Sequence, residues 1–370
     1  MKKQFLSIFS GIGGSAFGAK MAGYDLLGAI EFDHAIADLY KMNHQSPIAV
    51  DNVASVDLTD LPERNKNVPL CVQLSPPCQD YSAANHQSNQ GSDRALALDH
   101  CYKILEYYRP EEIVIENVRA YQKSQSITRL KNWLTRNGYQ YIEQVLNCAD
   151  VGVPQSRIRY FLIATKRSLQ LKKVKKTHEQ HPNHQLNIWE SPKQEWNGWL
   201  NAIEDLIEDL PVTELSQRQI EAVAKQFTIE PLQVEGRTRS RAETNRADRV
   251  TIRNSSSPSM TVVAGNNGVN MPKFLIPTVG YYGRVPPIYG ASDLSPTVKA
   301  MMMSDKGYSR HGCWRISDGY NIRECSTRVL GRLQTFPDKL ILSGKNNLDC
   351  KAIGNAVPPL AMQRVLECFN

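Results

Sequence analysis

The eight cysteines of this 370-residue chain include no C-x-x-C pair, so the sequence indicates neither a zinc ribbon nor a redox dithiol. Long hydrophobic runs are also missing. The short apolar run that follows Gln4 soon meets glycine, too early for a signal peptide or a membrane span. We therefore expect a cytoplasmic protein with no membrane association and no metal centre, since isolated thiols suit a reducing compartment.

Acidic residues are fewer than basic ones. The chain has 37 Asp and Glu residues against 44 Lys and Arg, which gives a net charge of +7, and its isoelectric point is about 8.9. This balance favours a polyanionic partner. A hydrophobic content of 41% supports a real core, and the length allows one large domain or two ordinary ones.

A glycine-rich turn follows the first apolar run. Phe5 to Phe9 is predicted as a strand, Ser10-Gly11-Ile12-Gly13-Gly14 as the turn, and Ala16 to Ala22 as a helix. Glycines let the backbone approach a ligand closely, and a helix N-terminus favours polar or anionic groups. The turn is not G-x-G-x-x-G, so an ordinary tight β-to-α turn explains it equally well.

Apolar strands and helices alternate through the first 165 residues. The further predicted strands are Tyr24 to Ile30, Ile48 to Val50, Val68 to Leu74, Ile113 to Ile115, Tyr139 to Leu146 and Tyr160 to Ala164. The alternation predicts an α/β fold, a Rossmann-like parallel sheet with helices on both faces. Glu31, Asp51, Asn52, Cys78 and Glu116 all follow predicted strands, at the edge where such sheets bind ligands. We therefore predict one site.

Cys78 directly follows Pro76 and Pro77. Two consecutive prolines form a stiff platform, because each fixes its own φ. A stiff platform suits a cysteine that acts as a nucleophile. A buried structural cysteine after an ordinary loop is the alternative.

Six motifs in order resemble those of the cytosine-C5 DNA methyltransferase family. They are Phe9 to Gly14, Pro77-Cys78-Gln79, Glu116-Asn117-Val118, Gln155-Ser156-Arg157-Ile158-Arg159, Arg332 to Pro337 and Gly354 to Pro359. Each motif alone is weak, but six in the family's order are a strong signal. The resemblance implies a class I methyltransferase fold and DNA (cytosine-5-)-methyltransferase activity with S-adenosyl-L-methionine as cofactor.

The resemblance also assigns catalytic roles. Cys78 would add to C6 of a flipped-out cytosine. Glu116 would bind the N3 and N4 edge of the base and protonate N3. Arg157 and Arg159 would lie near the base and its phosphates, and Arg159 is the one expected to touch O2.

For the cofactor, the resemblance implies that Glu31 takes the ribose hydroxyls and Phe32 packs on the adenine. Asp51 or Asn52 would meet the adenine amino group. The other implied cofactor residues are Phe9, Gly11, Ile12, Gly13, Gly14, Pro77, Asn355 and Val357. One departure is Ser7, which stands where the family usually has Asp. It leaves open how the amino group of the cofactor is held.

Residues 170–320 are irregular and rich in basic residues, Gly and Pro. We predict a small, largely β target-recognition domain there, inserted into a catalytic domain made of residues 1–169 and 321–370. The expected DNA contacts are Gln79, Ser82, Arg237, Arg239 and Arg241, although a plain basic surface explains the arginines equally well. At the C-terminal return we expect a helix from Arg323 to Pro337 and a last helix from Val357 to Phe369 near the first strand.

The resulting hypothesis is a monomeric enzyme that methylates a specific sequence of double-stranded DNA. A cognate restriction endonuclease acting separately is compatible with it. The alternatives are a catalytically silent DNA-binding regulator and an RNA cytosine-C5 methyltransferase. Ser75-Pro76-Pro77 also resembles the motif of amino-group methyltransferases, but Cys78 replaces the aromatic residue on which those enzymes stack the base.

Overall fold

The computed structural model describes residues 2–77, 96–180, 192–212 and 322–370, with five short segments between 233 and 317. The main strands are β1 (Lys3–Ile8), β2 (Tyr24–Glu31), β3 (Ile48–Val50), β4 (Leu70–Leu74), β5 (Glu112–Val118), β6 (Gln140–Asn147) and β7 (Ile158–Thr165). The helices are α1 (Gly14–Met21), α2 (His34–Asn43), α3 (Tyr102–Tyr108), α4 (Gln125–Arg136), α5 (Trp199–Ile203), α6 (Thr327–Leu333), α7 (Asn346–Asn355) and α8 (Pro359–Leu366).

Strands β1 to β7 form one sheet in the order β3-β2-β1-β4-β5-β7-β6. Strands β1 to β5 pair in parallel, as expected from their alternation with helices. Strand β7 runs antiparallel to both neighbours, so the expectation of a parallel sheet is wrong for this strand. Only residues 148–157 join β6 to β7, too few for the crossover that a parallel pair needs.

Helices cover both faces of the sheet, which confirms the predicted Rossmann-like layering. On β1, Leu6 and Ile8 pack in one core cluster with Leu105 of α3 and Leu130 of α4. Phe5 points to the other face, into a cluster that contains several residues of α8. Strand β4 is buried along its whole length, as expected for a central strand with both faces covered.

The C-terminal segment differs from its prediction at both ends of its first helix, which ends at Leu333 and not at Pro337. The predicted helix from Arg323 begins only at Thr327, because Ile322–Glu324 form a strand (β14). The Ser326 hydroxyl accepts a hydrogen bond from the backbone N–H of Val329 and so caps α6. The last helix does lie near the first strand as predicted, since Met362 of α8 shares a cluster with Phe5.

The remaining strands are short. They are β8 (His178–Glu179) with β9 (Gln194–Glu195), β10 (Gln233–Val234) with β11 (Ile252–Arg253), and β12 (Phe274–Pro277) with β13 (Trp314–Ser317) and β14. Trp199 and Ile203 of α5 pack with Leu330 of α6. Helix α5 lies within residues 170–320, the segment predicted as the target-recognition domain. No helix in the described part of the chain has the length and apolar character to cross a membrane.

Candidate active site

The glycine loop after β1 has an unusual backbone. Phe9 has a φ of 60°, Gly11 of 55° and Gly13 of 91°, a left-handed region that costs energy for a residue with a side chain. A Cβ built on Gly11 meets no heavy atom within 4 Å, so the loop borders open space there. A Cβ on Gly14 would lie 2.2 Å from the carbonyl oxygen of Val357, so the C-terminal turn packs directly on the loop.

Glu31, at the end of β2, fixes the glycine loop from the side. Its Oε2 accepts a hydrogen bond of 2.9 Å from the Gly11 N–H, and its Oε1 accepts one of 3.0 Å from the Asp33 N–H. The side chain is only 8% exposed. The ring of Phe32, the next residue, is 64% exposed. A carboxylate and an open aromatic face therefore stand beside the loop.

Asp51 and Asn52 follow β3, the neighbouring strand. The Asp51 N–H donates to the Glu31 carbonyl at 3.1 Å, which holds the two strand ends together. The Asp51 carboxylate accepts from the Ser55 hydroxyl at 2.9 Å, and the Asn52 side-chain oxygen accepts from the Ala54 N–H at 3.0 Å. Both residues are exposed, so the choice between them stays open.

His44 supports the glycine loop from beneath, a role that the sequence analysis missed. Its ring lies 4.4 Å from that of Phe17 and 4.6 Å from that of Tyr40, measured between centroids. A Cβ on Gly13 would lie 2.2 Å from its Nε2, so only glycine fits there. Burial lowers the pKa of His44 to about 4, with a further contribution from the Lys20 ammonium.

Glu116 is held at the end of β5 by two donors. Its Oε1 forms an ion pair of 3.1 Å with Arg159 Nε, and its Oε2 accepts a hydrogen bond of 3.0 Å from the Ser75 hydroxyl. The side chain of Glu116 is 8% exposed. The neighbouring Asn117 donates from Nδ2 to the Pro76 carbonyl at 2.9 Å. The acid motif is therefore joined directly to the loop that leads into Cys78.

The two arginines of the Gln-x-Arg-x-Arg motif have different surroundings. Arg157 is 2% exposed, and its guanidinium donates to the carbonyls of Gly354 and Ala356 at 3.1 and 3.0 Å. It joins β7 to the C-terminal turn, a position that does not support its expected contact with the base or phosphates. Arg159 carries the contact with Glu116, so we keep Arg159 alone as the proposed base contact.

Ser7 is hydrogen-bonded to the neighbouring strand β4. It is fully buried, and its hydroxyl donates to Oε1 of Gln73 in the neighbouring strand at 2.7 Å. The sequence analysis did not single out Gln73. The signal that could have found it is a polar amide in the otherwise apolar strand β4.

Several predicted site residues lie outside the described part of the chain. They are Cys78, Gln79, Ser82, Arg237, Arg239 and Arg241. Pro77, Phe9, Ile12, Asn355 and Val357 are described. Asn355 is exposed at the end of α7, and Val357 is buried next to Gly14. The described site therefore comprises the glycine loop, the ends of β2 to β5 and the C-terminal turn.

The model of one protein family, C-5 cytosine-specific DNA methylase, matches residues 3–369. The chain belongs to this family. The type II methyltransferase M.DdeI of Desulfomicrobium norvegicum is 25% identical over 98% of this chain and 87% of its own. The tRNA (cytosine(38)-C(5))-methyltransferase of Bos taurus is 28% identical, but over only 43% of this chain and 41% of its own.

The fold agrees with that family. The S. pombe Dnmt2 methyltransferase superposes with a TM-score of 0.54 at 16% identity, and the match covers 100% of this chain and 98% of that protein. At this identity the likeness shows the fold alone.

The residues at the glycine loop fit S-adenosylmethionine, on which the family depends. Gly11 borders open space, Glu31 has carboxylate oxygens of the kind that bind ribose hydroxyls, and the exposed Phe32 is an aromatic residue of the kind that packs on adenine. These three features lie at the carboxyl ends of β1 and β2, which are neighbours in the sheet.

Proposed function

We propose that this chain is an active DNA cytosine-C5 methyltransferase that uses S-adenosylmethionine and acts through a covalent bond between Cys78 and C6 of the base. The carrying observation is the fixed Glu116 carboxylate, paired with Arg159 and hydrogen-bonded to Ser75. Asn117 ties this acid motif to Pro76, two residues before Cys78. Addition to a cytosine ring requires an acid close to the nucleophile, and Glu116 is joined to the loop that leads into Cys78.

In the proposed reaction, the Cys78 thiolate adds to C6 and the ring electrons move toward N3 and C5. Glu116 has to take up a proton when the base binds, and it passes this proton to N3, which neutralises the charge that builds there. The bound cofactor supplies an electrophilic methyl group on a sulfonium. After C5 has taken the methyl group and S-adenosylhomocysteine is left, a base removes the C5 proton and the Cys78–C6 bond breaks with its electrons returning to sulfur. The N3 proton returns to Glu116, and the aromatic ring is restored.

Arg159 has two tasks in this mechanism. Its Nε holds Oε1 of Glu116 at 3.1 Å, and its Nη1 donates to the Ile158 carbonyl at 2.8 Å. A planar guanidinium can hold a carboxylate and donate to a base oxygen at the same time. We therefore assign Arg159 to the cytosine O2 as well as to Glu116.

We propose double-stranded DNA as the substrate. The net charge of +7 suits a phosphate backbone. C5 is hidden in a stacked duplex, so the target base has to be flipped into the site. Arg237, Arg239 and Arg241, with Gln79 and Ser82, are the proposed DNA contacts. We also propose a monomer that works in the cytoplasm and is independent of any cognate endonuclease.

A transfer RNA substrate is the second candidate. The bovine relative named for tRNA matches 43% of this chain, whereas M.DdeI matches 98%. The M.DdeI match extends over residues 170–320, where we propose that the target is read, and this match supports DNA.

The test is covalent trapping on duplexes in which 5-fluorocytosine replaces cytosine, with S-adenosylmethionine present. Fluorine at C5 cannot leave as a proton does, so the enzyme should stay bonded to the DNA through denaturing electrophoresis. We expect an adduct with the wild-type protein and with the matched control Cys368→Ala, whose thiol is half-buried elsewhere in the fold. We expect none with Cys78→Ala.

Other outcomes are equally informative. Methyl transfer without an adduct would contradict the Cys78 mechanism and point to an amino-group methyltransferase. An adduct with 5-fluorocytosine RNA, and none with the duplex DNA, would replace the proposed substrate with RNA.

A further inference from the structure

Gln73 is a polar residue in a buried central strand, which is unusual. Strand β4 lies between β1 and β5, and Gln73 is 1% exposed. A buried amide costs free energy unless both its oxygen and its nitrogen find partners. The proposed reaction gives Gln73 no role, so its presence calls for a physical explanation.

The amide of Gln73 forms the middle of a chain of three hydrogen bonds. The Ser7 hydroxyl donates to Gln73 Oε1 at 2.7 Å. Gln73 Nε2 donates to Ser75 Oγ at 2.6 Å. The Ser75 hydroxyl donates to Glu116 Oε2 at 3.0 Å. This series of hydrogen bonds crosses from β1 through β4 to β5 and ends on Glu116, the acid of the candidate active site.

The three hydrogen bonds all point the same way, from Ser7 toward Glu116. A serine hydroxyl carries a single hydrogen, and it can accept a second hydrogen bond while donating the first. Because Gln73 donates to Ser75, the hydrogen of Ser75 remains available for Glu116. If the amide were reversed, its oxygen would compete for that hydrogen and Glu116 would lose a donor.

The carboxylate of Glu116 is thereby held at both oxygens. Arg159 donates to Oε1 and Ser75 donates to Oε2, from two different strands or strand ends. Two donors on separate oxygens fix the plane of a carboxylate, whereas one would let it rotate. Proton transfer to a ring nitrogen depends on that plane, since donor and acceptor must meet at hydrogen-bond distance and in line.

We propose that Gln73 and Ser75, backed by Ser7, are positioning residues that orient the Glu116 carboxylate for proton transfer to the base. This inference rests on the proposed methyltransferase function. A plainer explanation is that the three residues only satisfy one another in the core, in which case they affect stability and not the rate of methyl transfer.

The experiment measures single-turnover methyl transfer from radiolabelled S-adenosylmethionine to PCR-amplified bacterial genomic DNA, which carries no methylated cytosine. The variants are Gln73→Met, which keeps the size and removes the amide, Ser75→Ala, and the double variant. Ser75→Thr retains a hydroxyl and serves as the conservative rescue. Thr165→Val is the matched control, because it removes a buried hydroxyl of β7 that donates to the Glu111 carbonyl and accepts from the Arg167 N–H, each at 3.0 Å.

We expect Gln73→Met and Ser75→Ala each to lower the single-turnover rate about 10-fold, the scale of one lost hydrogen bond to a charged group. The dissociation constant for S-adenosylmethionine should stay within about 2-fold of wild type, because the side-chain hydrogen bonds of Gln73 and Ser75 run to Ser7 and Glu116 and not to the glycine loop. The double variant should be no slower than Ser75→Ala alone, since both changes interrupt the same series of hydrogen bonds. Ser75→Thr and Thr165→Val should keep the wild-type rate.

Three results would overturn the inference. The first is a wild-type rate in Gln73→Met. The second is a double variant whose loss is the product of the two single losses. The third is an equal loss of rate in Thr165→Val, which would trace the effect to general destabilisation. The wild-type arm is measured first. If it transfers no methyl group to cytosine C5, the proposed function itself is wrong and the positioning role fails with it.

Discussion

Gly18 lies where α1 meets α8, and its replacement by alanine tests how closely these helices must pack. A Cβ on Gly18 would lie 2.4 Å from the Pro359 carbonyl oxygen and 2.7 Å from the Cβ of Met362. Both atoms are fixed by the backbone of α8, so neither can rotate out of the way. The substitution can be accommodated only if the helices move apart.

The sign of the effect follows from two opposing contributions. Overpacking of this kind costs about 3 kcal/mol at the upper end of its usual range. Exchanging a helical glycine for alanine gains about 1 kcal/mol. We therefore expect Gly18→Ala to lower the free energy of unfolding by about 2 kcal/mol.

The matched control is Gly331→Ala in α6. A Cβ there meets its nearest atom, Cδ2 of Leu340, at 3.5 Å, which is an ordinary contact. The gain in helix propensity should then remain, so this variant should be stabilised by up to about 1 kcal/mol. Urea unfolding followed by circular dichroism measures both variants against wild type.

A lower free energy of unfolding for Gly18→Ala and a higher one for Gly331→Ala would support the close approach of α1 and α8. If Gly18→Ala were as stable as Gly331→Ala, the reasoning from the 2.4 Å approach would be refuted. A secondary effect is expected on cofactor affinity, measured by calorimetry. The glycine loop leads into α1 and touches the turn before α8, so separating the helices disturbs that contact.

Three further predictions concern Glu116, Phe32 and His44. Glu116→Gln should keep DNA affinity in a gel-shift assay but lower the methyl-transfer rate by at least about 10², the usual scale for a general acid; an unchanged rate would remove Glu116 from that role. Phe32→Ala should raise the dissociation constant of S-adenosylmethionine about 10-fold through lost stacking, whereas Tyr107→Ala, which removes an exposed ring of α3, should leave it unchanged. The pKa of His44 is lowered from 6.5 to about 4 in the folded state. The unfolded chain therefore takes up the proton first, and stability falls as the pH drops below 6.5. Between pH 7 and pH 5 the wild-type protein should lose about 2 kcal/mol more than His44→Phe; parallel curves for the two proteins would contradict this.

Much of the fold followed from local sequence patterns. Apolar runs of strand length and the glycine-rich turn placed β1 to β5 and α1 near their observed positions. The direction of β7 was not predictable in this way, because an apolar run looks the same whichever way the strand runs. Ile322–Glu324 was expected to be helical, but pairing with β13 makes it a strand.

The candidate site was predictable in part. The motifs located the glycine loop, Glu31 and Glu116, because their residue types and spacing mark strand ends. The motif around Arg157 and Arg159 did not reveal that one guanidinium is buried against the C-terminal turn and the other faces Glu116. That difference depends on a contact between residues almost 200 positions apart in the sequence.

The sequence by itself determined the family, the order of the elements and the kinds of chemical group at the strand ends, because these depend on residue identity and short-range spacing. Only the tertiary structure decided which groups touch. It brings Ser7, Gln73, Ser75 and Glu116 into one hydrogen-bonded chain although they lie on three different strands. Hydrogen bonds depend on distance and direction to a fraction of an ångström, and no linear pattern encodes these for residues brought together by sheet register.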